Sequence, residues 1–196
     1  MNPTLDDRKT ALRRELRARR CALAGGERPR AALQAVARLL EAPELVGARV
    51  VAAFRGIRDE IDTGPLIGTL RESGRMVVLP RVVGRGQPLA FHLWRPGDDL
   101  EEVAMGVLQP RADSPGLVPD LVVAPLLGFD RRGGRLGYGG GFYDRTLALL
   151  RRDRPTTAIG FAFELQRIDE VPTGPSDQPL DRVATELALH DCRCGT

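Results

Sequence analysis

Lysine is nearly absent from this chain of 196 residues: among 29 basic side chains only Lys9 is not an arginine. Where arginine serves for almost every positive charge, the lone lysine is either a chance occupant of a solvated helix or a residue kept for its compact, mobile ammonium group. Cysteine is scarce as well. Cys21, Cys192 and Cys194 form neither an even disulfide framework nor a zinc-ligand spacing, so all three read as free thiols, the last two in a segment where chains often fray. His92 and His190 lie at no spacing from carboxylates or cysteines that would make them catalytic. No apolar run approaches the ~20 residues of a membrane-spanning helix, and the N-terminus is polar where a secretory signal is apolar. A cytoplasmic protein without a membrane partner is expected. The net charge of +3 is small, with acids and bases interleaved along most of the chain, so no large field for nucleic acid is implied.

What is present is an alternation of helical and extended patterns. Leu5, Leu12, Leu16 and Leu23, separated by charges, predict an amphipathic helix over 5–23, and a second runs from Ala31 to Leu40 with Pro43 closing it. ARVVAAF (Ala48 to Phe54), RMVVLPRV, DLVVAPLLGF and TTAIGFAF are continuous apolar runs of the kind found in parallel strands buried on both faces. Helices are expected between them, at Pro65 to Ser73 and Phe142 to Arg152. PLAFHLWRPGDDLE reads as an irregular, partly antiparallel excursion, followed by a Pro- and Gly-rich linker from Gln109 to Pro119. With 42% hydrophobic residues the chain can bury one core. The expected fold is a single α/β domain, a three-layer α/β/α sandwich with a mostly parallel central sheet, its core at about residues 5–188 and a C-terminal tail over 189–196.

Glycine is concentrated in one place. Between Asp130 and Arg145 the chain reads DRRGGRLGYGGGFYDR, in which six of sixteen residues are glycine. A turn between strand and helix needs one or two glycines; this many suit backbone brought close to a ligand. Beyond the carboxyl end of a strand, with the N-terminus of a helix following, the loop can hold phosphate on its amides, with Arg135 adding a full charge. It fits neither a Walker loop nor a clean dinucleotide fingerprint, and by itself it indicates only phosphate. Asp144, in the first turn of the next helix, either complements the helix dipole or holds the Mg²⁺ of a triphosphate. Phe142 and Tyr143 are equally candidates for core side chains.

Lys9 and Arg13, four residues apart, share a helix face and can converge on one phosphate group. The competing reading of RKTALRRELRARR is a basic helix that docks on nucleic acid or anionic lipid, but Asp6, Asp7 and Glu15 interrupt its charge and no aromatic residue is interleaved. In RGIRDEIDT, Arg55 to Thr63, Asp62 or Thr63 is placed to cap the helix near Pro65. Glu60 is harder to explain as a cap and can accept paired hydrogen bonds from an amino-heterocycle.

GRLGYGGGFYDR, from Gly134 to Arg145, resembles the signature of the 5-formyltetrahydrofolate cyclo-ligase family. KTALRRELRARR, EIDT at Glu60 to Thr63, VVLPRV, MGVLQP from Met105, GFAFELQ from Gly160 and DQPLDRVATE from Asp177 follow in the family's order, so the resemblance covers nearly the whole chain. It implies an enzyme that uses ATP and Mg²⁺ to close 5-formyltetrahydrofolate to 5,10-methenyltetrahydrofolate; a monomer with no nucleic-acid partner is expected. Carried over by motif, Lys9, Arg13 and Arg135 would be catalytic and would bind ATP with Leu136, Gly137, Tyr138, Gly139, Gly140, Gly141, Phe142 and Tyr143. Asp144 would serve the metal, and Phe54, Arg55, Glu60, Trp94 and Tyr143 would meet the folate. Two positions depart from the family: Gln109 stands where Glu is usual, and Ser176 precedes Asp177 where His is common. A kinase or ligase acting on another small molecule is the alternative reading.

Overall fold

Along the LVVA run, Leu121 and Val123 face one apolar cluster while Val122 and Ala124 face another, and all four are buried. A strand's side chains alternate between faces, so a run with no polar residue must be covered on both sides. The computed structural model describes residues 3–103 and 106–193 and bears this out in the inner strands of the central sheet, whose edge strands are only partly covered. Its strands are β1 (Val50–Ala52), β2 (Met76–Arg81), β3 (Ala90–Leu93), β6 (Leu121–Ala124), β9 (Thr157–Phe161), β10 (Arg182–Ala184) and β11 (Leu189–Asp191). They lie in the order β11-β10-β9-β6-β1-β2-β3. The inner five are parallel, and β3 and β11 close the edges antiparallel.

Helices α2 (Arg28–Leu40) and α3 (Gly64–Glu72) cover one face through Ala35, Leu39, Leu66 and Leu70. Helix α4 (Phe142–Asp153) covers the other through Leu147. Three layers result, as expected. Helix α1 (Leu5–Ala22) packs on neither face: only Leu16 and Arg20 of its side chains are buried, and Leu16 meets Leu136 and Val171 in a small separate cluster. The helix starts at a capping box, Thr4 accepting from the Asp7 amide and Asp7 accepting from that of Thr4.

Several expectations need correction. The DLVVAPLLGF run is not one strand. It leaves the sheet after Ala124, and β7 (Gly128–Phe129) pairs with β8 (Arg135–Leu136) as a separate small hairpin carrying the glycine loop. The linker from Gln109 begins inside β5 (Val107–Pro110), which pairs with β4 (Leu100–Val103). Gln109 is buried and its Oε1 accepts from the Val82 amide at 3.1 Å. The residue that replaces the family's glutamate is thus tied into the scaffold. Thr63 is the N-cap residue of α3, as expected, but its hydroxyl donates to the Phe54 carbonyl and not to the helix end; the amide of Gly64, the first helical residue, is instead taken by Asp62 at 2.8 Å. The expected tail begins as strand β11, and Cys192 is buried and not frayed. Met105 and Cys194 lie outside the described residues.

Candidate functional site

From β1 the chain runs outward to β2 on one side, and it later returns to place β6 on the other side of β1. In open α/β sheets ligands bind in the crevice beyond the carboxyl ends of the strands at such a reversal, here those of β1 and β6. Two loops border it: residues 53–63 after β1, and residues 125–141 after β6. The basic face of α1 lies against them.

The glycine loop is held from below. Asp130, 3% exposed, accepts the amides of Arg132, Gly134 and Val171 at 2.8, 2.9 and 2.8 Å, fixing the hairpin base. Leu136 is also base: its side chain is buried and its carbonyl accepts from the Leu127 amide at 2.7 Å. Above it, Gly137, Tyr138, Gly139, Gly140 and Gly141 are half-buried or exposed. Gly139 has φ +99° and Gly141 φ +63°, left-handed values that side chains resist. A Cβ on Gly140 would stand 2.8 Å from the Phe142 ring, and one on Gly137 2.9 Å from the Arg135 guanidinium. The glycines therefore let the chain turn tightly while exposing its amides. Gly141 is the N-cap of α4, with no side chain bonded to the helix end, so the positive end of the dipole faces the crevice uncapped.

Cations surround this backbone. Arg13 donates from Nε to the Gly137 carbonyl at 2.9 Å. Arg135, 7% exposed, donates to Asp144 Oδ1 at 2.9 Å, and its Nε is buried without a hydrogen-bond partner. Its guanidinium lies 5.6 Å from the Tyr143 ring centre. Burial pushes the Tyr143 hydroxyl well above its ordinary range, so it stays protonated. Arg145 lies 5.4 Å from the Phe142 ring centre and donates to the Gly140 carbonyl at 2.6 Å. Lys9 reaches the same region, but its Nζ lies 2.6 Å from Asp177 Oδ2. Asp144 also accepts from the Gln178 amide at 3.2 Å, again on Oδ1.

Across the crevice, Glu60 accepts from the Ile57 amide at 2.9 Å and from the Tyr138 hydroxyl. Burial raises its carboxyl above the ordinary 4.5, an effect those two hydrogen bonds only partly oppose. Arg55 is exposed and lies 5.6 Å from the ring centre of the half-buried Trp94. Phe54, expected as a pocket wall, is 4% exposed and belongs to the core beneath the loop. His92 and His190 hold scaffold contacts, to the Ser114 carbonyl at 2.6 Å and to Glu164 at 2.7 Å. Ser176 is exposed in the loop before Asp177.

Sequence reasoning passed over Arg20 and Asp59. Arg20 donates to Asp59 Oδ2 at 2.7 Å and to the Tyr138 hydroxyl at 2.8 Å. Burial alone would raise the Asp59 carboxyl, but the Arg20 guanidinium holds it below its ordinary range. The signal was there: the stripe that joins Lys9 to Arg13 continues at helical spacing through Leu16 to Arg20.

Among the described residues no group of three or more His, Cys, Asp or Glu is arranged to hold a metal. Magnesium seldom needs one, being bound by one or two carboxylates plus substrate phosphates. Both hydrogen bonds to Asp144 fall on Oδ1, so its Oδ2 is the oxygen that fits that donor set.

Residues 6–186 match the model of the 5-formyltetrahydrofolate cyclo-ligase family. The chain is 35% identical to the 5-formyltetrahydrofolate cyclo-ligase of Escherichia coli, a match that covers 87% of this chain and 96% of that protein. With the Haemophilus influenzae enzyme of the same name the identity is 30%, over 85% of this chain and 90% of that one. The solution structure of the 5,10-methenyltetrahydrofolate synthetase of Aquifex aeolicus superimposes with a TM-score of 0.80 at 27% identity, covering 96% of this chain and 94% of the other.

Proposed function

The chain belongs to the 5-formyltetrahydrofolate cyclo-ligase family, and from that premise we propose that it couples ATP cleavage to the closure of 5-formyltetrahydrofolate, giving 5,10-methenyltetrahydrofolate, ADP and phosphate. The observation that carries this reading is the convergence of three segments distant in sequence, with Arg13 of α1, Glu60 after β1 and the glycine loop after β6 meeting at one crevice. It is a site with a cationic, amide-lined side for phosphates and a carboxylate opposite for a donor-rich ring.

In the first step the formyl oxygen attacks the γ-phosphorus and the bond to ADP breaks, leaving a phosphorylated imidate. In the second, N10 of the folate attacks the activated carbon, the carbon–oxygen bond to phosphate breaks, and the departing phosphate takes up the proton that N10 loses. Neither step requires an acid–base dyad. Catalysis rests on positioning and on neutralising phosphoryl charge. Arg13, Arg135 and the amides of Gly137 to Gly141 hold the triphosphate tail, and Lys9, released from Asp177, supplies a mobile cation to the phosphoryl group in flight. Glu60 orients the pterin by accepting from its amino edge, with Arg55 and Trp94 flanking it. Asp144 holds magnesium, which when bound neutralises phosphate charge. The same reading takes the enzyme as a monomer working in the cytoplasm.

Mixing the purified protein with ATP, Mg²⁺ and 5-formyltetrahydrofolate tests the reading. The methenyl product absorbs in the near ultraviolet, and its appearance only when ATP is present is the expected result. ATP cleavage with no methenyl product would overturn it in favour of a kinase or ligase acting elsewhere.

A further inference from the structure

Both oxygens of Glu60 already accept hydrogen bonds. Oε2 takes the Ile57 amide at 2.9 Å, and Oε1 takes the hydroxyl of Tyr138. The Ile57 amide belongs to Glu60's own loop, three residues before it, and travels with it. Tyr138 belongs to the glycine loop, 78 residues further on. We infer that Tyr138 is a latch: its hydroxyl occupies the Glu60 oxygen that the folate ring would use, and folate must displace it, freeing the glycine loop as it binds. The inference rests on the reading of Glu60 as the pterin-binding carboxylate and adds a competitor to it.

The latch is held on its far side too. Arg20, 2% exposed, donates from Nη1 to the Tyr138 oxygen at 2.8 Å and from Nε to Asp59 at 2.7 Å. The guanidinium groups of Arg20 and Arg17 lie 5.7 and 5.9 Å from the Tyr138 ring centre. Burial and the Glu60 charge push the Tyr138 hydroxyl well above its ordinary range, so it remains a donor. The residue is 39% exposed and belongs to none of the apolar clusters, so beyond its hydroxyl only these arginine contacts hold its ring. Gly137 and Gly139 flank it, the latter at φ +99°, and such residues absorb a large backbone change on loop opening. Two other side chains tether this stretch, Arg13 at the Gly137 carbonyl and Arg145 at the Gly140 carbonyl, both on main-chain oxygens and not on the Tyr138 side chain. Pterin binding at Glu60 and nucleotide binding on the loop amides thereby become linked through a single hydroxyl.

Tyr138→Phe keeps the ring and removes the hydroxyl. Calorimetric titration with 5-formyltetrahydrofolate, without nucleotide, should show the variant binding about tenfold more tightly than the wild type, the scale of one hydrogen bond to a charged group. Glu60→Gln is titrated beside it. Unchanged or weaker binding by Tyr138→Phe, with Glu60→Gln clearly weakened, removes the latch and leaves the functional reading standing. Unaltered binding by Glu60→Gln instead removes the pterin role of Glu60, and the latch with it. Hydrogen exchange in the wild type needs no variant. Folate should speed exchange over residues 137–141, and slower or unchanged exchange there contradicts the release.

Discussion

Lys9 Nζ and Asp177 Oδ2 stand 2.6 Å apart, joining the first helix to a loop 168 residues later. The only lysine of the chain is therefore already paired, in a contact with side-chain exposures of 12% and 19%. If Lys9 serves phosphoryl transfer it must exchange one anion for another, which a flexible ammonium does more readily than a guanidinium fork. Lys9→Ala should lower turnover at saturating folate by about a hundredfold, on the scale of a lost charge-stabilising group. Stability should fall by about 1–3 kcal/mol, since the substitution leaves the mostly buried Asp177 carboxylate without its cation. Steady-state kinetics and urea unfolding check both halves, and near-normal turnover would remove Lys9 from the mechanism.

Glu60→Gln should raise KM for the folate and leave that for ATP nearly unchanged, because a glutamine oxygen there still accepts the Tyr138 hydroxyl and leaves the glycine loop as it is. An equal rise in both would count against a pterin role.

The same substitution has a signature in pH. Glu60 in the folded protein binds its proton more tightly than in the unfolded chain, so its contribution to stability is complete below about pH 4.5 and is lost as pH rises through the raised value. This is opposite to the usual carboxylate. Glu60→Gln does not ionise, so its stability relative to the wild type should improve as pH rises from about 4 toward neutrality. Denaturant unfolding at a series of pH values measures it, and a difference that stays flat or runs the other way contradicts the assignment.

Two glycines of the loop should behave differently. Gly133 has φ +80°, and a Cβ there would drive into the Leu180 carbonyl and stand 3.2 Å from Cys192 Cβ. Gly133→Ala should cost about 2 kcal/mol or more in stability. Gly139, at φ +99°, faces only the Arg13 guanidinium at 3.5 Å. Gly139→Ala should cost about 1 kcal/mol while lowering activity at least tenfold, because the strain falls on the ligand-facing backbone. Thermal melts beside assays separate the two.

Thiol chemistry probes the far edge of the sheet. Burial pushes the Cys192 thiol up to about 11, whereas Cys21 is exposed. In a Cys194→Ser background at pH 8, a maleimide should modify Cys21 rapidly and Cys192 only on unfolding, as peptide mass mapping would show.

The parallel sheet was legible because buried strands carry continuous apolar runs, and the glycine loop because nothing in a core asks for six glycines. What escaped depended on tertiary placement. Strands β7 and β8 are two residues each, too short for any periodicity, and β10 and β11 carry Arg182 and Asp191, which hide their strand character behind an ion pair at 3.0 Å. Phe54 and Leu136 were expected at ligands because of their neighbours in sequence. In a strand–loop junction, adjacent side chains point opposite ways, and both of these point into the core. Arg20 was hidden by abundance, since one arginine among so many carries no compositional signal and only its helical register singles it out.

A crystal grown with a non-hydrolysable ATP analogue and 5-formyltetrahydrofolate tests the central claim most directly. The triphosphate should lie on the amides of Gly137 to Gly141 within reach of Arg13 and Arg135, with Lys9 turned from Asp177 toward the γ-phosphate and the pterin on Glu60. A nucleotide seated elsewhere, with the Lys9–Asp177 pair intact, would contradict it.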